Sequence, residues 1–284
     1  MSEPRERAAL LVQEETDTLD NISIGYPANH FAWNIVKDAA RRMNATSLVE
    51  VGVGRGNGVP HVLAEGMSFA GLDVDAVAIQ TTRDLLVGLD SDPSAVIQAD
   101  IEDAIALDAL PGRGTFDLLM GLGILPHSRD EVRSIMNMAS LVRPGGEIYV
   151  ECRNSLFSLV TFNRFTRDLI IDSMLEGIST ASREGVREFL DPRLDLNRPP
   201  VPSSGHDATY HNPFEVTKTF RGLGFSDIEI VPFHYHAGMP ALEALDPQRF
   251  RNESLAMEHE ESGWKGLFLC SAFLVRAVIP TPAQ

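Results

Sequence analysis

A chain of 284 residues with 44% hydrophobic content can bury a core of its own, which excludes wholesale disorder. Its formal net charge of -16 repels phosphate backbones and anionic headgroups, so neither nucleic acid nor a membrane is expected as a partner. Two cysteines, Cys152 and Cys270, exclude a disulfide framework, and no run of about 18 apolar residues or signal-like segment stands out; a soluble, cytoplasmic protein with two reduced, buried thiols is expected.

Residues 1–46 read as an N-terminal helical segment, with charge and helix formers over 5–20. A second helix is expected over 30–43, where Phe31, Ile35, Val36 and Ala39 recur at helical spacing. The short apolar run Ser47 to Val51, closed by glycines, reads as a buried parallel strand. A helix from 58, a strand over 68–74, a helix over 76–88 and strands at 95–98 and 116–120 follow. An amphipathic helix over 129–142 is then stopped by Pro144-Gly145-Gly146, and a fifth strand runs over 147–151. Strands alternating with helices over 47–152 predict a doubly wound α/β core.

The alternation breaks after Cys152. Residues 153–213, with Phe157, Phe162, Arg164, Phe165 and Arg167, further helical stretches and a Pro-rich turn from Asn197 to Pro202, are too long for a plain connection and read as an inserted helical cap. Residues 214–284 are expected to complete the core, with a helix over 213–222, a strand over 227–231 and a last strand over 267–278.

Glu50-Val51-Gly52-Val53-Gly54-Arg55-Gly56 stands where the first strand meets its helix, and glycines there let backbone turn sharply and approach a ligand. The dinucleotide fingerprint needs a third glycine three residues after the second; the two registers place Asn57 or Val59 there, against an NAD-linked oxidoreductase. Asp73 ends the second strand, where a carboxylate can accept from both hydroxyls of a ribose. Asp100 ends the third, where a carboxylate can accept from an exocyclic amine.

These motifs, with Gly121-Leu122-Gly123 after the fourth strand, Arg143-Pro144-Gly145-Gly146 before the fifth and Gly222-Leu223-Gly224-Phe225 before a late strand, resemble the class I S-adenosylmethionine-dependent methyltransferases, and the loose likeness of Asn154-Ser155-Leu156-Phe157 and Tyr210-His211-Asn212-Pro213 points to bacterial small-molecule types. The resemblance implies a seven-stranded, mostly parallel sheet with a final antiparallel strand, and S-adenosylmethionine as cofactor. It implies that Glu50 faces the methionine amino end, Gly52 and Gly54 line the cofactor, Asp73 holds the ribose, Asp100 and Ile101 the adenine edge, and backbone at Gly121 or Leu122 the methionine moiety.

The acceptor is expected to be a small molecule, a sugar or secondary metabolite, methylated on oxygen or nitrogen. His127, after the fourth strand, and His211, where the insertion returns, are the candidate bases. Arg153, Asn154 and Tyr210 are the candidate acceptor contacts, and the insertion is expected to cover the acceptor pocket. The spacing of His234, His236 and Glu151 is not a zinc signature, and no metal is expected. A homodimer stays open, and so does a non-catalytic cofactor-binding module that keeps the fold.

Overall fold

The structure is a computed structural model, described here for residues 3–197, 208–259 and 263–281. The Pro-rich turn lies, from residue 198 on, outside the described residues.

Helix α1 (Pro4–Asp17) and helix α2 (Ala28–Met43) precede the sheet. Asn44 ends α2 in the left-handed conformation that an asparagine tolerates. Then follow β1 (Ser47–Val51), α3 (Gly58–Ala64), β2 (Ser68–Asp73), α4 (Ala76–Gly88), β3 (Val96–Gln98), β4 (Phe116–Gly121), α5 (Glu131–Ala139) and β5 (Val142–Asn154). Asp75 and Asp130 cap α4 and α5 by accepting the Val77 and Arg133 backbone N–H groups. Leu48 and Val49 of β1, Leu118 and Leu119 of β4 and Ile148 of β5 are fully buried, which explains the apolar strand runs.

The chain continues through α6 (Arg164–Asp168), α7 (Thr180–Leu190), β6 (Tyr210–His211), α8 (Pro213–Gly222), β7 (Ser226–Tyr235), α9 (Pro240–Glu243), α10 (Pro247–Met257), α11 (Gly266–Leu269) and β8 (Cys270–Val278). The strand order is β3-β2-β1-β4-β5-β8-β7, with β6 paired to β5. Strands β3, β2, β1, β4 and β5 are parallel neighbours. Strand β8 runs antiparallel to β5: Gly145 donates to the Ile279 carbonyl at 2.9 Å, while Asn154, at the other end of β5, donates to the Cys270 carbonyl at 2.8 Å. The sheet thus has the expected class, with the two-residue β6 as an eighth strand.

Four boundaries differ from the sequence expectation. Helix α5 stops at Ala139, and β5 already begins at Val142. Phe116 pairs with Val142 and Leu118 with Glu147, so Pro144-Gly145-Gly146 forms a bulge within β5 rather than a turn before it. Strand β7 extends to Tyr235, and residues 266–269 are helical, so the last strand begins only at Cys270.

The chain divides into two compact units. The first comprises Met1–Cys152, Thr217–Val231 and Leu274–Gln284, and the second Arg153–Val216 and Pro232–Phe273. Residues 232–273, expected in the core, therefore cluster with the insertion. Local contacts explain this: the Tyr235 N–H donates to Glu258 at 2.9 Å, that of Ala237 to Ser254 Oγ at 2.9 Å, and the Phe157 and His236 rings lie 4.6 Å apart. Among the described residues no helix is long and apolar enough to cross a membrane.

Candidate active site

In the first unit a pocket of about 500 Å³ opens at the carboxyl ends of β1, β2, β3 and β4. The strand order reverses between β1 and β4, and such a switch point leaves a crevice for a ligand. Gly52, Asp73, Asp100, Ile101 and His127 line it.

The loop after β1 is built by backbone and one carboxylate. Gly52 has φ +82, a conformation that favours glycine, and a Cβ there would fall 2.3 Å from the tip of the Ile124 side chain, which would have to shift. The Gly52 N–H donates to the Leu72 carbonyl at 2.8 Å, and that of Gly54 to Asp73 Oδ2 at 2.9 Å. Asp73 Oδ1 accepts from the Asp75 N–H at 2.9 Å. Each carboxylate oxygen has two acceptor positions, so one on each remains for a donor pair such as a ribose diol.

Glu50 lies beneath the loop and does not line the pocket. It is 4% exposed, and its Oε2 has no hydrogen-bond partner. Burial, with the Asp73 carboxylate nearby, pushes its pKa well above the usual carboxylate range. A buried orphan oxygen of this kind fits a cationic ligand group.

Asp100 reaches the pocket with its carboxylate already engaged. Oδ1 accepts from the Glu102 N–H and Oδ2 from Arg129 Nη2, both at 2.9 Å. Arg129 also donates through Nε to Glu102 Oε2 at 3.2 Å. An exocyclic amine would therefore share Asp100 with Arg129. Gly121 is not a lining residue; a Cβ there would meet Met138 at 3.5 Å. The half-buried Leu122 lies close to Gly52 through its carbonyl oxygen, and the next residue, Gly123, lines the pocket. Sequence reasoning missed Glu102 and Arg129, although the order of acid and base across two strand exits was a signal. It also missed that Glu151, within β5, accepts the Gly123 N–H at 2.6 Å.

The remaining candidates belong to the second unit. Arg153 pairs with Tyr210 and Asn154 with His211 along β5 and β6, so these four residues share one short ladder. Asn154 is the one that departs from expectation. Its Nδ2 donates to the Leu267 and Cys270 carbonyls at 2.8 Å, and its Oδ1 accepts from Leu156 N–H at 3.0 Å. Both amide protons are spent on backbone, so Asn154 shapes the unit and has none left for an acceptor. Tyr210 packs its ring 4.9 Å from Phe165, and His211 is buried.

The family described as "Methyltransferase domain" matches residues 49–148, the stretch that carries the loop, Asp73 and the pocket. This chain carries a class I S-adenosylmethionine-dependent methyltransferase domain. S-adenosylmethionine is the cofactor of that domain, and Asp73, Glu50 and the pocket geometry fit it.

The chain is similar to the ubiquinone biosynthesis O-methyltransferase of Vibrio parahaemolyticus, 29% identical over 127 residues, which cover 44% of this chain and 52% of that protein. The match thus spans about half of that relative. Its counterpart in Burkholderia pseudomallei strain 1710b is 26% identical over 202 residues, 70% of this chain and 72% of that one. A solved complex between the Haloferax volcanii Trm112 methyltransferase activator and its methyltransferase shares the fold, with a TM-score of 0.50 at 17% identity, covering 99% of each chain.

Proposed function

We propose that the methyltransferase moves a methyl group onto an oxygen of a small-molecule acceptor, a sugar or secondary metabolite. The observation that carries this reading is the pair of free acceptor positions on Asp73, fixed over a glycine loop at the sheet's switch point. The likeness to O-methyltransferases of ubiquinone biosynthesis supports oxygen as the accepting atom. The free, buried thiols Cys152 and Cys270 are in keeping with a cytoplasmic enzyme.

When bound, S-adenosylmethionine supplies an electrophilic methyl group on a sulfonium, so displacement needs mainly a placed nucleophile. In this reading Asp73 holds the ribose hydroxyls, Glu50 meets the methionine ammonium, and Ile101 packs against the adenine. Backbone at Gly54 and Leu122 completes the cradle. His127, in the pocket wall, accepts the proton of the acceptor hydroxyl as the oxygen attacks. Arg153 and Tyr210, paired across β5 and β6, are the acceptor contacts in this reading, and His211 beside them is the alternative base.

The test is methyl transfer from labelled S-adenosylmethionine to a panel of phenols, catechols and sugars, with S-adenosylhomocysteine quantified alongside. The reading requires labelled ether product and equimolar S-adenosylhomocysteine. Transfer to amines alone would replace oxygen by nitrogen, and cofactor binding without transfer to any acceptor would leave a non-catalytic module.

A further inference from the structure

Three helices of the first unit bring together Glu15 on α1, His30 on α2 and His61 on α3. Their donor atoms all lie within 4.8 Å of one another. His61 Nε2 is 2.9 Å from Glu15 Oε2, and His30 Nδ1 is 3.5 Å from Glu15 Oε1. The two imidazoles are 5% and 1% exposed, whereas the Glu15 side chain is 39% exposed. We propose that Glu15, His30 and His61 form a binding site for one zinc-class divalent cation, distinct from the cofactor pocket.

Zinc bonds to nitrogen and carboxylate oxygen of about 2.1 Å, set tetrahedrally, place donor atoms roughly 3.4 Å apart. His61 and His30 approach different oxygens of Glu15, at 2.9 and 3.5 Å, and the three donors lie within 4.8 Å of one another, so a cation gathers them by side-chain movements on the order of 1 Å. Two imidazoles with one carboxylate suit zinc and its late first-row neighbours better than magnesium or calcium, which prefer oxygen alone. Three protein donors leave a fourth position, and the half-exposed Glu15 gives the cation a way in from solvent.

A purely hydrogen-bonded cluster leaves a cost that a cation removes. His30 Nδ1 is buried and has no hydrogen-bond partner, because 3.5 Å is too long for one. A buried polar atom without a partner costs about 1–3 kcal/mol, and a cation between the three donors satisfies it. Lys37 on α2 is the opposing charge beside the cluster, and Glu65 offsets it.

The site also touches the cofactor loop. His61 stacks on Trp33 with ring centroids 5.7 Å apart and planes at 5°. Trp33 and Glu50 press together on Gly58, where a Cβ would fall 2.2 Å from the indole and 2.4 Å from Glu50 Oε2. A cation that fixes α1 and α2 to α3 therefore also fixes the wall behind Glu50.

The decisive measurement is zinc titration of the metal-free protein by calorimetry, with cobalt(II) absorption as the geometric readout. Neither depends on methyl transfer, so the outcome stands apart from the proposed activity. One equivalent should bind per chain, and cobalt should give the intense visible bands of a tetrahedral site. Glu15→Gln and His30→Gln should each weaken binding by roughly 100-fold or more, since even outer-shell changes cost 10–100-fold. Glu15 is half-exposed, so Glu15→Gln should fold, as circular dichroism would verify. Zinc binding as tight in folded Glu15→Gln as in the parent, or cobalt spectra of octahedral type, would overturn the site.

Discussion

Asp73 accepts the Gly54 N–H at 2.9 Å and thereby ties the end of β2 to the glycine loop after β1. One carboxylate thus orders the loop and keeps a face toward the pocket.

Asp73→Ala should weaken S-adenosylhomocysteine binding tenfold or more. Hydrogen bonds from a diol to a charged oxygen are worth about 1.5–3 kcal/mol, and each 1.4 kcal/mol is a factor of ten. Calorimetry on a variant with native circular dichroism checks this; a dissociation constant within twofold of the parent would remove Asp73 from the cofactor site.

Glu50 couples cofactor binding to protons. Its buried carboxyl has a raised pKa, so the folded state favours the protonated form, and its stabilising contribution is fullest below about pH 4.5 and declines as pH rises toward the raised value. A cofactor ammonium demands the charged form. Binding should therefore release a proton, seen as a heat that varies with buffer ionisation enthalpy, and affinity should rise with pH. Glu50→Gln should abolish the release and weaken binding while leaving the fold at least as stable at neutral pH. Proton release unchanged in Glu50→Gln would assign it elsewhere.

His127 and His211 make opposing forecasts. If His127 is the base, His127→Ala should lower turnover by about 10²- to 10⁴-fold and remove the acid limb of the pH–rate profile. His211→Ala should then keep that acid limb. The converse pattern would move the base to the second unit. Parental turnover in both variants, with cofactor still bound, would show that no histidine base operates at either position.

A structural carboxylate gives a pH signature of its own. Glu147 on β5 accepts from Arg276 at 2.6 Å, from Arg42 at 2.7 Å and from the Tyr149 hydroxyl at 2.7 Å. Burial alone would raise its pKa, and these partners outweigh it and hold it at about 2. A depressed pKa stabilises the fold above about pH 4.5, and this is lost as pH falls toward 2. The shift corresponds to about 3 kcal/mol at neutral pH. Urea unfolding of Glu147→Gln against the parent should show a deficit of that order at pH 7 that shrinks on acidification; a deficit independent of pH would point to packing instead.

The motifs that line the pocket were legible in the sequence because each is local. A strand, its glycine exit and the carboxylate ending the next strand each leave a mark within a few residues, and the strand order then assembles them. The Arg129 clamp on Asp100 and Glu102 was not legible, since it joins residues 27 and 29 positions apart through the Arg129 guanidinium and its backbone N–H. Asn154 reads as polar and available, yet its amide is consumed by carbonyls at Leu267 and Cys270, more than a hundred residues away.

The boundary of the insertion failed for the same reason. Breaks in periodicity mark where regular alternation stops, but whether residues 232–273 cluster with the core or with the insertion depends on contacts such as Phe157 with His236. The sequence by itself determined the α/β class, the order of the first five strands' motifs and the carboxylate that ends the second strand, because hydrophobic period and glycine punctuation are local properties. Only the tertiary structure decided which donors meet across α1, α2 and α3, and only it left His30 Nδ1 and Glu50 Oε2 buried without partners, because burial and orphaned polar atoms arise from long-range packing that no local pattern encodes.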